Sequence, residues 1–396
     1  MKEFLEGAVS IARTVGLCRP GVISAYPITP QTHIVEELAS LVANGKLKAE
    51  FINVESEHSA ASCVLGAVAT GVRAYSSTSS QGLLLMAEVL FNIAGLRLPV
   101  VMCCVNRAVS APINIWNDQQ DIVTLRDAGI ILLFAENIQE ACDLHIQAFK
   151  IAEDPQVMLP CIVNIDGYIL SHGYEPVEFP NQELVDKFLP PYNPPYKLDI
   201  NNPLTLGSLM GPEYYLETRY AIQETMNNEV KRKILDVAEG FTRMFSRKSF
   251  GLFEEYKIQD AETIFVAMGS IAGPIKDVVD ELREKGQKVG LLRIITYRPF
   301  PSKEVGKILS NAKRVIVIDK SISLGSYGPL YQDVVNSVYI NSQVDNQKNL
   351  PKVVGYICGL GGRDVYKEEI IDIYNDKEFE PAKFVSVKKE NLGNFI

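Results

Sequence analysis

The sequence predicts an α/β protein, with a doubly wound, mostly parallel sheet in its first half and a second α/β domain near its end. Three observations carry this. Short β-rich runs alternate with runs at helical period, which implies parallel strands joined by βαβ crossovers. The strands are apolar throughout rather than alternating, as in a sheet covered on both faces. The rhythm stops near residue 176 and returns near residue 263. A chain of 396 residues is long enough for two or three such domains.

Residues 21–26 read as the first strand. After Pro27-Ile28-Thr29-Pro30 comes a helix with Ile34, Val35, Leu38, Leu41 and Val42 on one face. Thr29 or Thr32 suits its cap, and Pro30 suits a first turn. A strand at 50–54 precedes a helix rich in small residues, 59–69. A strand at 72–76 runs into a Ser/Thr loop, 76–80, followed by a helix at 83–94 and a strand at 99–105. The connection 106–121 has little periodicity. Strand 130–134, helix 138–152 and strand 157–165 complete a domain spanning 1–190.

Six prolines between Pro180 and Pro203 break the pattern, and 214–246 reads as one long, charge-rich helix. Residues 191–260 are therefore expected as a linker. The alternation then resumes with strand 263–268, helix 274–284, strand 289–295, helix 302–309, strand 314–318, helix 328–338 and strand 352–358. This defines a domain at 261–375 and a polar tail at 376–396.

Composition excludes several classes. Lys and Arg total 39 against 48 Asp and Glu, for a net charge of −9, so a basic nucleic-acid groove is not expected. No apolar run reaches the ~18–20 residues that a membrane span needs. The N-terminus lacks an apolar signal core, so a cytoplasmic protein is expected. None of the seven cysteines is spaced C-x-x-C, and most sit in apolar stretches, which suits reduced, buried thiols. No iron–sulfur cluster or structural zinc is expected in this chain. There is no G-x-G-x-x-G, P-loop or G-x-S-x-G, and the four histidines are too scattered in sequence for a recognisable metal set.

In open parallel sheets, ligands bind on the loops that follow the strands. Four such loops stand out. Thr29 lies between two φ-fixing prolines, as a rigid hydroxyl or an ordinary helix cap. Glu57 lies at a strand-to-helix junction, as a site carboxylate or a dipole-stabilised cap. Ser79-Ser80-Gln81-Gly82 opens a helix, as an anion cradle or a polar turn. Arg107 follows an apolar strand, as a bidentate carboxylate grip or a surface ion pair.

Ser24-Ala25-Tyr26-Pro27-Ile28-Thr29-Pro30-Gln31-Thr32, Glu55-Ser56-Glu57-His58, Ser79-Ser80-Gln81-Gly82, Asn106-Arg107-Ala108-Val109-Ser110-Ala111-Pro112, Ile115-Trp116-Asn117-Asp118-Gln119-Gln120-Asp121 and Gly359-Leu360-Gly361-Gly362-Arg363-Asp364 together closely resemble the alpha subunits of the 2-oxoacid:ferredoxin oxidoreductase family, of the pyruvate type. The resemblance spans nearly the whole chain and is weakest over 195–260. It implies a thiamine pyrimidine-binding domain, then a domain like the transketolase carboxy-terminal domain. It implies oxidative decarboxylation of pyruvate to acetyl-CoA and CO₂ with reduction of ferredoxin, or the reverse.

On this resemblance, Glu57 matches the glutamate that hydrogen-bonds the aminopyrimidine of thiamine diphosphate. Thr29 and Arg107 match the substrate-holding pair, with Ile28 beside them, while Pro27, Ser80 and Gln81 line the cofactor. The metal-binding G-D-G…N-N signature is absent, since Asn201-Asn202 has no G-D-G upstream. Mg²⁺ and the diphosphate are therefore expected on a separate beta subunit, which also carries iron–sulfur clusters. Gamma and ferredoxin-like delta subunits, coenzyme A as co-substrate and ferredoxin complete the implied assembly. Apolar Ile28 and Val109 suit a small neutral oxoacid. The alternatives are 2-oxoisovalerate, 2-oxoglutarate or oxalate as substrate, or a scaffold subunit without catalysis.

Overall fold

The computed structural model describes residues 2–346 and 349–393. Its strands are β1 (Lys2–Glu6), β2 (Val22–Ala25), β3 (Glu50–Asn53), β4 (Ala74–Thr78), β5 (Val101–Asn106), β6 (Ile131–Phe134), β7 (Cys161–Asp166), β8 (Tyr174–Glu178), β9 (Phe253–Tyr256), β10 (Thr263–Met268), β11 (Val289–Ile294), β12 (Thr296–Arg298), β13 (Arg314–Asp319), β14 (Lys352–Ile357) and β15 (Lys383–Phe384). The chain divides into two units. The first runs through Phe253 and includes Ile295–Pro301; the second takes Glu254–Ile294 and the chain from Ser302 onward.

In the first unit a sheet of order β12-β6-β7-β5-β4-β2-β3 is parallel except at β12, which lies antiparallel to β6. The chain goes from β2 outward to β3, then returns to β4 on the other side of β2. That reversal makes the carboxyl ends of β2 and β4 the switch point of the sheet, where this architecture opens a crevice. Helices α1 (Gly7–Leu17), α2 (Thr32–Ala43), α3 (Glu57–Ala69), α4 (Ser80–Leu85), α5 (Ala87–Gly95), α6 (Gln120–Thr124) and α7 (Ile138–Ala152) follow in chain order. A small antiparallel pair, β1 with β8, lies apart from the main sheet.

Residues 191–260 differ from the expected linker. Through Phe253 they belong to the first unit. After α8 (Gln182–Phe188), helices α9 (Pro212–Glu224) and α10 (Lys231–Phe245) run as one rod through a π-helical stretch at Thr225–Val230. Ile222, Met226, Val230, Ile234, Val237, Phe241 and Phe245 join the same hydrophobic core as α1, α2 and α7. Their spacing of three to four residues puts them on one stripe. Phe241 and Phe245 stack at 4.3 Å, and Phe188 meets each ring edge-on. Each fully buried large apolar side chain contributes about 1.5–3 kcal/mol, so this stripe holds the rod on the unit despite its charged outer face. Just beyond α10, Arg247 grips Asp143 of α7 at 2.6 and 2.8 Å.

The second unit is a sheet of order β15-β14-β13-β10-β11-β9. Helices α11 (Ala272–Glu284), α12 (Ser302–Leu309), α13 (Pro329–Asp345) and α14 (Lys367–Asn375) connect its later strands. The expected polar tail is partly structural: Lys383–Phe384 forms β15 and pairs in parallel with β14. The last three tail residues lie outside the described residues. Six of the seven cysteines are buried and Cys63 is half-buried; all are free thiols. Among the described residues, no helix is long and apolar enough to cross a membrane.

Candidate active site at the sheet switch point

The loops after β2, β3, β4 and β5 emerge from carboxyl ends of parallel strands and so share one edge. After β2, Pro27 and Thr29 are exposed, Ile28 is half-buried and Pro30 is buried. Gln31 closes this loop. Its Oε1 accepts the Ile28 N–H at 3.2 Å, while its Nε2 donates to the carbonyl and hydroxyl oxygens of Ser77 at 2.7 and 2.8 Å. Gln31 thus ties the Thr29 loop to β4, a role that only the fold reveals.

Arg107 and Thr29 meet directly. Arg107 is only 6% exposed, and its Nη1 donates to the Thr29 carbonyl at 2.8 Å. Nε donates to the Asn114 carbonyl at 3.1 Å. Nη2 has no hydrogen-bond partner among the described residues. The surface ion pair is therefore the wrong alternative for Arg107. A bidentate grip needs one correction: two nitrogens already serve backbone carbonyls, so Nη2 is the nitrogen open to an incoming carboxylate. Burial lowers the Arg107 pKa from its usual value, but a guanidinium stays charged at neutral pH.

Glu57 is the first residue of α3 and 7% exposed. Ser56, not Glu57, caps this helix: its Oγ accepts the Ser59 N–H at 3.2 Å. The Glu57 carboxylate lies over Gly82. A Cβ added to Gly82 would fall 2.5 Å from Glu57 Oε1 and 2.7 Å from Thr78 Oγ1. Among the described residues the carboxylate has no hydrogen-bonding or ion-pair partner. The buried hydroxyls of Ser76, Thr78 and Ser79 have none either. Buried polar groups are nearly always partnered. An unpartnered carboxylate beside unpartnered hydroxyls therefore fits a polar ring with donors and acceptors of its own.

Gly82→Ala should displace the Glu57 carboxylate, because no methyl fits at 2.5 Å. We expect the variant to fold and assemble but to lose at least tenfold in kcat, a loss of more than about 1.4 kcal/mol of barrier lowering. Thermal unfolding and steady-state kinetics on one preparation would check this; unchanged kcat would contradict it.

Ser80 and Gln81, expected to line the cofactor, make hydrogen bonds within the protein. Ser80 takes a left-handed φ of 47°. Its hydroxyl donates to the Ala108 carbonyl at 2.6 Å and also to Gln81 Oε1, while Gln81 Nε2 donates to the Ser110 hydroxyl. Both side chains are thus committed to the Arg107–Ser110 loop. The strand β4 also reaches Thr78, so Ser76, Ser77 and Thr78 are strand rather than loop.

Two histidines that lie far apart in sequence come together. His33 Nδ1 is 2.6 Å from Glu6 Oε1, and the His33 and His172 rings lie 4.7 Å apart. These three residues offer ligand atoms within 4.8 Å of one another, which no sequence spacing reveals. The Glu6 contact and the Ser171 hydroxyl, 2.8 Å from His172 Nδ1, already satisfy one nitrogen of each ring. His145 is buried in α7 between Ala141 and Tyr75, and desolvation pulls its pKa down to about 4.

Residues 14–236 match the family described as pyruvate flavodoxin/ferredoxin oxidoreductase, thiamine diphosphate-binding, and residues 261–370 match pyruvate:ferredoxin oxidoreductase core domain II. The chain is 48% identical over 388 residues to the pyruvate synthase subunit PorA of Methanosarcina barkeri, covering 98% of this chain and 95% of that protein. It is 47% identical over 402 residues to the PorA subunit of Pyrococcus abyssi, covering 99% and 100%. It is also 42% identical over 377 residues to the ketoisovalerate oxidoreductase subunit VorA of Pyrococcus abyssi, covering 95% and 93%. A solved 2-oxoglutarate:ferredoxin oxidoreductase from Magnetococcus marinus, with 2-oxoglutarate, coenzyme A and succinyl-CoA bound, shares the fold at a TM-score of 0.71 and 20% identity. This chain is covered to 94% and spans 65% of that longer chain. With two domain matches in order and relatives nearly half identical along its length, the chain belongs to the pyruvate flavodoxin/ferredoxin oxidoreductase family.

Proposed function

We propose that this chain is the alpha subunit of a multi-subunit pyruvate synthase. The reaction converts pyruvate and coenzyme A to acetyl-CoA and CO₂, with two electrons passing to ferredoxin, or runs in reverse. The observation that carries this reading is the buried, unpartnered Glu57 carboxylate over Gly82, at the same sheet edge where Arg107 meets Thr29. Near-full-length identity to PorA subunits supports the choice of substrate.

Thiamine diphosphate, when bound, supplies the electron sink that lets the bond between carboxylate and carbonyl carbon break. Glu57 would hold a proton against a nitrogen of its aminopyrimidine ring, with the Thr78 hydroxyl close to that carboxylate. Arg107 positions the substrate carboxylate through Nη2 without changing charge. The Thr29 hydroxyl donates toward the carbonyl oxygen as negative charge builds there; a donor in that role is worth about 3 kcal/mol. A beta subunit holds Mg²⁺ and the diphosphate and carries iron–sulfur clusters, gamma and delta subunits pass electrons to ferredoxin, and the assembly is cytoplasmic.

The chain purified with its partner subunits is expected to reduce a low-potential dye only when pyruvate and coenzyme A are both present. The similarity to a ketoisovalerate oxidoreductase subunit favours one second reading, with a branched 2-oxoacid as substrate. A higher kcat/KM for 2-oxoisovalerate than for pyruvate would establish it. Absence of thiamine diphosphate from the active complex would overturn both readings.

A further inference from the structure

The Asn117-Asp118-Gln119-Gln120-Asp121 stretch ties neighbouring strand ends together through its side chains. Asp121, at the start of α6, is fully buried. Its Oδ2 accepts the backbone N–H of Ser80 and the backbone N–H of Arg107, each at 3.0 Å. Its Oδ1 accepts Asn106 Nδ2 at 3.0 Å and the Ile122 N–H at 2.8 Å. The Cys104 thiol lies 3.6 Å from Oδ2. One carboxylate therefore fastens the turn after β4 to the end of β5.

Four N–H donors on one buried carboxylate, with the Cys104 thiol as a weaker fifth, make charge-assisted hydrogen bonds, the strong kind, and only an ionised, two-oxygen acceptor can take all four N–H groups. Nearby, Asn117 and Gln119 donate to Asp166 Oδ1 at 3.1 and 3.0 Å, fixing the same stretch to the end of β7. The stretch thus spans the ends of three neighbouring strands. What Asp121 holds is functional backbone: Arg107 carries the open guanidinium nitrogen, and Ser80 precedes the Gly82 on which Glu57 rests.

We propose that Asp121 is a positioning residue for the 2-oxoacid reaction, setting Arg107 for the substrate carboxylate by holding its backbone N–H together with that of Ser80. This rests on the substrate role given to Arg107 above. Asparagine in its place keeps the shape but not the function. Its amide oxygen can accept from Ser80 and Arg107, but its NH₂ then faces the donors of Asn106 and Ile122. Two of the four bonds are lost whichever way the amide turns.

The titratable groups beside Asp121 are the Cys104 thiol and the Asp118 carboxyl, while the Arg107 guanidinium acts on it only through its charge. Burial holds the thiol neutral and pushes the Asp121 pKa up to about 6. Below that pH the carboxyl carries a proton, becomes a donor itself, and must release an N–H.

The test uses the assembled complex and whichever 2-oxoacid the wild type turns over, so a wrong substrate assignment is seen separately in the wild-type preference. In Asp121→Asn, KM for the 2-oxoacid should rise about 10- to 100-fold, the effect of two lost charge-assisted bonds, with a smaller change in kcat. Combined with Arg107→Lys, the two changes should be strongly non-additive in kcat/KM, since both act on one guanidinium. The wild-type KM should climb as pH falls through about 6, while that of Asp121→Asn stays high and flat. Wild-type KM in the variant, additive effects with Arg107→Lys, or a flat wild-type profile would each overturn the proposal. The wild-type profile needs no variant, so the inference is testable even if Asp121→Asn fails to assemble.

Discussion

The Glu57→Gln complex is expected to turn over pyruvate about 100- to 1,000-fold more slowly than wild type, with KM nearly unchanged. A positioned proton donor or acceptor is worth about 10²–10⁴ in rate. Gln keeps the volume and one acceptor oxygen, so the fit against Gly82 and Thr78 survives. What it cannot do is share a proton with a ring nitrogen. The loss should therefore fall on kcat, the signature of an interaction made for the chemistry rather than for substrate binding. Steady-state kinetics with pyruvate and coenzyme A on complexes of matched thiamine diphosphate content checks this. A Gln variant that keeps wild-type kcat would remove Glu57 from the chemistry and reduce it to a buried helix-start residue.

Arg107→Ala is expected to lower kcat/KM for pyruvate by about 10³, most of it in KM. A hydrogen bond to a charged group contributes about 1.5–3 kcal/mol, and the loss here is larger because the side chain also holds the Thr29 and Asn114 carbonyls. Removing it deprives the substrate of its cation and frees the loop carrying Thr29. Arg107→Lys should recover only part, because an ammonium keeps the charge but cannot serve two fixed carbonyls and a carboxylate from one planar fork. Equal KM values for wild type and Arg107→Ala would show that the substrate carboxylate is held elsewhere.

The parallel architecture was legible because its elements announce themselves locally. Helix α7 is predicted and observed at the same residues, Ile138–Ala152, since Asn137 caps it by accepting the Glu140 N–H. That Thr29, Glu57 and Arg107 share one sheet edge was legible for a topological reason, because each follows a strand and parallel strands place such loops on one edge; their chemical roles came from the resemblance alone. Other features were not, because they depend on distant partners. The β1–β8 pair is short, charged and proline-interrupted, and only the antiparallel register of Lys2–Glu6 with Tyr174–Glu178 makes it sheet. The α9–α10 stripe is interleaved with charged residues, so it reads as a solvated linker until its core partners are known. The Ser-rich end of β4 reads as a loop because its hydroxyls look like turn formers. Gly82, Gln31 and Asp121 matter through close approaches between segments 14 to 46 residues apart.

In the proposed function, the Glu57 carboxyl faces a nitrogen of the cofactor ring. A density map of the assembled complex with thiamine diphosphate bound measures it directly. A Glu57 oxygen should lie within hydrogen-bond distance of the aminopyrimidine, about 2.7 Å away, with Gly82 beneath the carboxylate. A map with the ring seated elsewhere, or with Glu57 turned from it toward protein or solvent, would remove Glu57 from the chemistry.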